Sequence, residues 1–182
     1  MTKKESSGLY IFKLGAILFL ICAVVAAALG GVNAITKDKI ADINAQKVAD
    51  AIALVLESSA EPEIVEDANA PSEISTIYKM GDDGYAIQVV VSGSQGSIDM
   101  MVGTDPEGTV TGISIVKHSE TAGLGAVYAD GTDAGVAFRE SFVGKSGEIP
   151  VADVAFKSGA TISAEAICNG AEIASAYVAD LG

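Results

Sequence analysis

Residues 74–117 read ISTIYKMGDDGYAIQVVVSGSQGSIDMMVGTDPEGTVTGISIVK. Four runs rich in Ile, Val, Thr and Tyr, at 74–80, 85–92, 97–104 and 109–117, are separated by Gly81-Asp82-Asp83-Gly84, Gly93-Ser94-Gln95-Gly96 and Asp105-Pro106-Glu107-Gly108. β-Branched and aromatic residues suit a pleated, half-buried surface, while Gly, Asp and Pro supply the backbone angles of tight turns. Connections this short cannot hold a crossover helix, so the pattern predicts an antiparallel meander.

Downstream, a Gly-rich loop runs from Thr121 to Gly131, followed by a short helix around 133–143 and a strand near 151–156. From Ser163 to Leu181 the small and apolar positions Ala166/Ile167, Gly170/Ala171, Ala174, Tyr177/Val178 and Leu181 recur at helical spacing. That periodicity predicts a helix packing one face, with alanines that favour helix and permit close approach. Strands followed by helices that cover them make the fold class α+β.

Upstream lies a segment of different chemistry. Leu14–Val32, LGAILFLICAVVAAALGGV, has nineteen residues without a charge, and a bilayer core takes about 20 apolar helical residues to cross. This segment accounts for much of the 49% hydrophobic content and the mean hydropathy of +0.41. The competing reading is a signal peptide cleaved after Ala34, but the run exceeds the roughly 7–15 residues of a signal-peptide core, which favours a retained transmembrane helix. Lys3, Lys4 and Lys13 against Glu5 put a cytoplasmic tail, residues 1–13, before the span, and the rest of the chain outside the cytoplasm, anchored in an inner membrane whose lipid contacts residues 14–32.

After the span, Ile35, Ile40, Ile43, Val48, Ile52, Val55 and Leu56 predict an amphipathic juxtamembrane helix over 33–57, continuous with it. The stretch 57–73, with Pro62, Pro71 and six acids, reads as a loop into the main domain, residues 58–182.

The 182 residues allow one sizeable core. Residues 33–182 carry 8 basic and 23 acidic groups, a net −15, which argues against nucleic acid as a partner. Cys22 lies in the apolar span and Cys168 in the last helix, so neither a four-thiolate iron–sulfur centre nor, with His118 alone, a zinc site has support.

Two stretches carry candidate chemistry. Lys157-Ser158-Gly159-Ala160-Thr161-Ile162-Ser163 opens the last helix. Small residues there admit a ligand to the backbone, the unpaired N–H groups of a helix start suit phosphate, and Lys157 adds a charge. Alone, the same residues describe an ordinary helix cap, Ser or Thr before an alanine-rich helix with Gly supplying the turn. The second stretch, His118-Ser119-Glu120-Thr121-Ala122-Gly123-Leu124-Gly125, runs from a strand end into the Gly-rich loop, where polar groups suit ligand contact, although a surface His beside a Glu is a common incidental pair. Ser119 by His118, or Asp153 by Ser158, forms no nucleophile elbow, so a hydrolase has little support.

Taken jointly and in this order behind one membrane helix, with Ile35-Thr36-Lys37-Asp38-Lys39-Ile40 after the anchor, these motifs resemble the FMN-binding G subunit of the Rnf electron-transport complex. The resemblance implies FMN joined through its phosphate to the Thr161 hydroxyl by a separate flavin transferase. It also implies Ser158, Gly159 and Ala160 as recognition and close-approach positions, with Ile162 beside the attachment and Ser163 as the helix cap, and it implies Glu120, Thr121, Gly123, Leu124 and Gly125, with His118, beside the flavin. The family pattern is departed from at two places: Ala122 stands where a proline is common, and Ala155-Phe156 where an acid commonly precedes Gly-Ala-Thr. The implied activity is that of a redox component of an ion-translocating ferredoxin:NAD+ oxidoreductase, partnered by the other subunits and with no independent catalytic site. The related C subunit of the sodium-translocating NADH:quinone reductase, usually longer, and a tethered binding module without cofactor are the alternatives.

Overall fold

The computed structural model describes residues 7–181. Lys3, Lys4 and Glu5, on which the tail and its orientation draw, lie outside the described residues. The chain divides into two compact units, Met1–Gln46 and Lys47–Gly182. A single helix, α1, spans Ser7–Val55, so the apolar run and the amphipathic stretch after it fall in one element.

Within the first unit the helix is long and apolar enough to cross a membrane. Its large side chains, Phe12, Leu18, Phe19 and Leu20 among them, are exposed. In water such a surface would be costly, and in lipid it costs nothing. The predicted amphipathic stripe is buried over only part of its length. Ile35, Ile40 and Ile43 are exposed, whereas in the second unit Ala51, Ile52, Val55 and Leu56 are buried and Val48 partly so.

Those last turns pack on a five-stranded antiparallel sheet. Strand β1 is Glu63–Val65, β2 Ile74–Lys79, β3 Tyr85–Ser92, β4 Ser97–Thr104 and β5 Val110–Lys117, in spatial order β1-β2-β3-β4-β5. The four predicted strands stand to within a residue at each end. Their turns form as the residue types require: Asp105 Oδ1 accepts from the Glu107 and Thr109 N–H groups at 3.1 and 2.7 Å, and Gly93 N–H donates to the Gly96 carbonyl at 2.8 Å. Strand β1 lies inside the stretch predicted to be loop. Its three residues carry no alternation of their own and are strand only because Ile64 and Val65 pair with Tyr78 and Ile77.

Alternation along β3 and β4 divides the sheet into two faces. Ala86 and Met101 face α1, with Met80 from the turn after β2 joining them. Ile87, Val89, Val91, Ile98, Met100 and Val102 face the larger core, built under α3, Thr161–Leu181, and α2, Asp133–Glu140. Helix α3 presents Ala164, Ile167, Cys168, Ala171, Ala174 and Val178 at three- and four-residue spacing, all buried. Each large aliphatic side chain removed from water this way contributes about 1.5–3 kcal/mol.

The strand predicted near 151–156 is instead a 3-10 turn, Val151–Asp153, followed by irregular chain. Pro150 fixes the entry, and only Val154 of this stretch is buried, so the apolar run had no second strand to pair with. Helix α2 ends at Glu140 rather than near Val143, and Thr132 caps its start by accepting from Gly135 N–H at 3.3 Å.

Candidate functional site: a cleft at the start of the last helix

Three loops meet where α3 begins. They are the β3–β4 turn, the segment after β5 and the turn before α3, and between them lies a cleft of about 260 Å³. Its lining joins Ser94 and Gln95 from the first, Glu120, Thr121, Leu124 and Gly125 from the second, Gly159 and Ala160 from the third, and Thr161 to Ser163 from the first turn of α3 itself. The two candidate stretches therefore converge on one cavity.

Local chemistry sets the α3 start. Ala160 N–H donates to the Lys157 carbonyl at 3.1 Å, closing a four-residue turn whose third residue, Gly159, has φ +88°. That is the type II pattern, which calls for a left-handed third residue and so for glycine. The Ala160 carbonyl accepts from Ala164 N–H at 3.0 Å, the first bond of the helix, so the cap position falls on Ala160 and not on Ser163. Alanine has no side-chain acceptor, which leaves the N–H groups of Thr161, Ile162 and Ser163 open at the positive end of a 21-residue helix. Thr161 and Ile162 are exposed, as are Lys157, Ser158 and Gly159.

Ser163, expected as the cap, has a different partner. It is buried within the first turn of α3, and its hydroxyl donates to Glu120 Oε2 at 2.6 Å. Glu120 Oε1 accepts from Gln95 N–H at 3.1 Å. Glu120, 9% exposed, thus ties the β3–β4 turn and the segment after β5 to the first turn of α3. Space for it comes from two missing side chains. A Cβ at Gly93 would collide with Glu120 Oε1, and one at Gly125 with both Glu120 Oε2 and Ser163 Oγ.

His118 does not line the cleft. It sits behind Glu120, with Nδ1 accepting the Glu120 N–H at 3.2 Å. Gly123 and Lys157 also stay outside the lining but join its two walls, because Lys157 Nζ donates to the Gly123 carbonyl at 2.8 Å.

Sequence reasoning missed Ser94 and Gln95, which read as an ordinary turn, and it missed Tyr128. This tyrosine is 1% exposed in a 3-10 turn, Gly125–Tyr128, and its hydroxyl accepts from Lys157 N–H at 3.1 Å and donates to the Ala160 carbonyl at 3.3 Å. Its ring stacks on Phe138, centroids 4.0 Å apart, and Arg139 donates to its carbonyl at 2.6 Å. Burial pushes the phenol up from its ordinary pKa. The available signal was the single aromatic residue in the Gly-rich loop from Thr121 to Gly131. Among the described residues no group of three or more His, Cys, Asp or Glu could hold a metal ion.

An FMN-binding domain model matches residues 93–176, which contain every residue of the cleft lining, and a model of the RnfG N-terminal region matches residues 2–55, ending on the last residue of α1. The chain is 32% identical to the G subunit of the Na+-translocating ferredoxin:NAD+ oxidoreductase complex of Acetobacterium woodii, over 88% of this chain and 87% of that one. The chain belongs to the RnfG family. Further members similar to it include the G subunit of the ion-translocating oxidoreductase complex of Methanosarcina acetivorans, 28% identical over 88% of this chain and 90% of that one. The corresponding protein of Haemophilus influenzae is 33% identical over 58% of this chain and 55% of its own length. In RnfG terms, the N-terminal model covers the helix and the FMN-binding model runs from the β3–β4 turn into α3, so the cleft lies wholly within the FMN-binding part.

Proposed function

We propose that this chain is the electron-transferring RnfG component of a membrane-bound ion-translocating ferredoxin:NAD+ oxidoreductase complex, and that it carries FMN as a phosphoester on the Thr161 hydroxyl. The observation that carries the reading is the uncapped start of α3: an exposed threonine at the first helical position, beside open N–H groups, at the mouth of a cleft within the match to FMN-binding domains. A phosphodiester keeps its negative charge, and the open N–H groups with the helix dipole favour an anion at that point.

Residues of the chain fit such a group. Thr161, Ile162 and Ser163 would supply backbone donors to the phosphate. Gly159 and Gly125 leave the walls free of side chains, and Leu124 with Ile162 offers exposed apolar surface for a flat ring. Bound flavin supplies one-electron redox chemistry, and the protein positions it and sets its surroundings. Attachment forms an Oγ–P bond at Thr161 and releases the hydroxyl proton. A phosphate monoester does not condense with an alcohol in water unaided, so the donor is a flavin phosphoanhydride such as FAD, whose P–O bond to the leaving phosphate breaks, and the catalyst is a separate flavin transferase.

The apolar surface of α1 supports a single-pass anchor over residues 14–32, with the juxtamembrane portion to residue 57 and the FMN-binding domain from 58 outside the cytoplasm. Lys13 ahead of the span favours that orientation. Donor and acceptor are cofactors of neighbouring subunits.

The test is direct. Purified from cells that express a flavin transferase, the denatured chain fluoresces in gel as a flavin and gains the mass of FMN less water. Thr161→Ala abolishes both. A dark wild-type band, or a bright Thr161→Ala band, sinks the assignment.

A further inference from the structure

The Thr161 hydroxyl reaches a phosphoryl donor only if the turn in front of it holds still. That turn, Lys157 to Ala160, is solvent-exposed on three of its four residues and hinges on Gly159, the residue type with the widest backbone freedom. Its tie to Gly123 through Lys157 Nζ is an exposed contact, and such contacts contribute little. From the interior the turn meets one polar side-chain group among the described residues, the Tyr128 hydroxyl, which engages both of its ends.

Tyr128 is itself buried. The ring is held in the core against Phe138, which in turn meets Phe142 edge-on at 5.1 Å, and the backbone is pinned by the lone arginine of the chain. A buried post of this kind offers an acceptor to an N–H that would otherwise go unpaired, and a donor to the carbonyl that starts α3.

We propose that Tyr128 is a positioning residue for flavin attachment, its hydroxyl clamping the Lys157–Ala160 turn so that Thr161 is presented to the transferase in one geometry. The role rests on Thr161 as the attachment site. Removing the hydroxyl strands the Lys157 N–H and frees the Ala160 carbonyl from its second donor. Thr161 then samples many positions, and the transfer loses part of its orientational advantage.

The experiment uses the full-length chain in detergent, unmodified at the start, with purified flavin transferase and FAD. Tyr128→Phe slows the appearance of in-gel flavin fluorescence by roughly tenfold, the effect of about two neutral hydrogen bonds. On the unmodified chain, trypsin cuts the Lys157–Ser158 bond several times faster than in the wild type, while cleavage at Lys79 and Lys117 is unchanged. Val178→Ala, in the core at the far end of α3, is the control: it lowers the melting temperature but leaves both rates as in the wild type. Wild-type attachment and cleavage rates in Tyr128→Phe overturn the proposal, as does a slowing that Val178→Ala reproduces at equal loss of stability. A dark wild-type chain, or a bright Thr161→Ala chain in the same assay, instead refutes attachment at Thr161, and the role of Tyr128 falls with it.

Discussion

Replacing Ser163 by alanine tests whether the Glu120 carboxylate holds two of the cleft loops to the start of α3. The hydroxyl donates to Glu120 Oε2 at 2.6 Å in a site where Ser163 is 1% exposed. A hydrogen bond to a charged group contributes about 1.5–3 kcal/mol, and its loss leaves a buried carboxylate oxygen without a donor. Ser163→Ala should therefore cost about 2 kcal/mol, a fall of roughly 6–10 °C in melting temperature for a unit of this size. Glu120→Ala loses the Gln95 N–H bond as well, and should cost about 3 kcal/mol. Glu120→Gln keeps the shape, with one amide atom to accept from Gln95 and the other to donate to Ser163, and should cost about 1 kcal/mol. In the double variant of Glu120→Ala with Ser163→Ala, the second change should add almost nothing, because the stranded hydroxyl it removes has already lost its partner. The assay is thermal unfolding of the full-length chain in detergent, followed by near-ultraviolet circular dichroism. Single-variant losses that sum in the double variant to within about 0.5 kcal/mol would refute the clasp.

Gly159→Ala forces a side chain into a φ of +88° and should lower stability by about 1–2 kcal/mol, with flavin attachment slowed in step. An unchanged melting curve would mean the turn relaxes to another form. Gly125→Ala drives a Cβ into the Glu120–Ser163 contact and should cost about 1–3 kcal/mol, less in a Ser163→Ala background because one colliding atom is gone. Alkaline pH should unfold the protein early. Burial pushes the Cys168 thiol from 9.0 to about 12 and the Tyr177 phenol from 10.0 to about 12. The folded state holds these protons while the unfolded chain releases them, so their stability is fully present below pH 9 and lost between pH 9 and 12. Urea midpoints at pH 8 and 10.5 should show the decline, and Cys168→Ala should lessen it.

Much of the sheet was legible because strands β2 to β5 carry their own evidence: alternating β-branched residues, and turns whose Gly and Asp do one job. Strand β1 and the 151–156 stretch were not, for opposite reasons. Glu63–Val65 has no pattern yet finds a partner in β2, whereas Val151–Phe156 has a strand-like run and finds none. At the cleft, Thr161 with its small neighbours and the Glu120 to Gly125 loop could be singled out only jointly, because each alone also describes an ordinary cap or an incidental surface pair. Ser163 misled for a physical reason. A serine in a helix's first turn has two common uses, cap or buried donor, and the choice is made by a carboxylate 43 residues away. Tyr128 and Gln95 act through a hydroxyl and a backbone N–H at separations of 29 and 25 residues, which no local pattern records.

The meander is assembled almost wholly from neighbours in sequence, while the Glu120 clasp spans 25 and 43 residues. Local hairpins close early and long loops late. The cleft therefore exists only after α3, the last element in chain order, has docked on a finished sheet. Any modification that requires this cleft is confined to chains that have completed folding, so a covalent mark placed there certifies a correctly assembled domain.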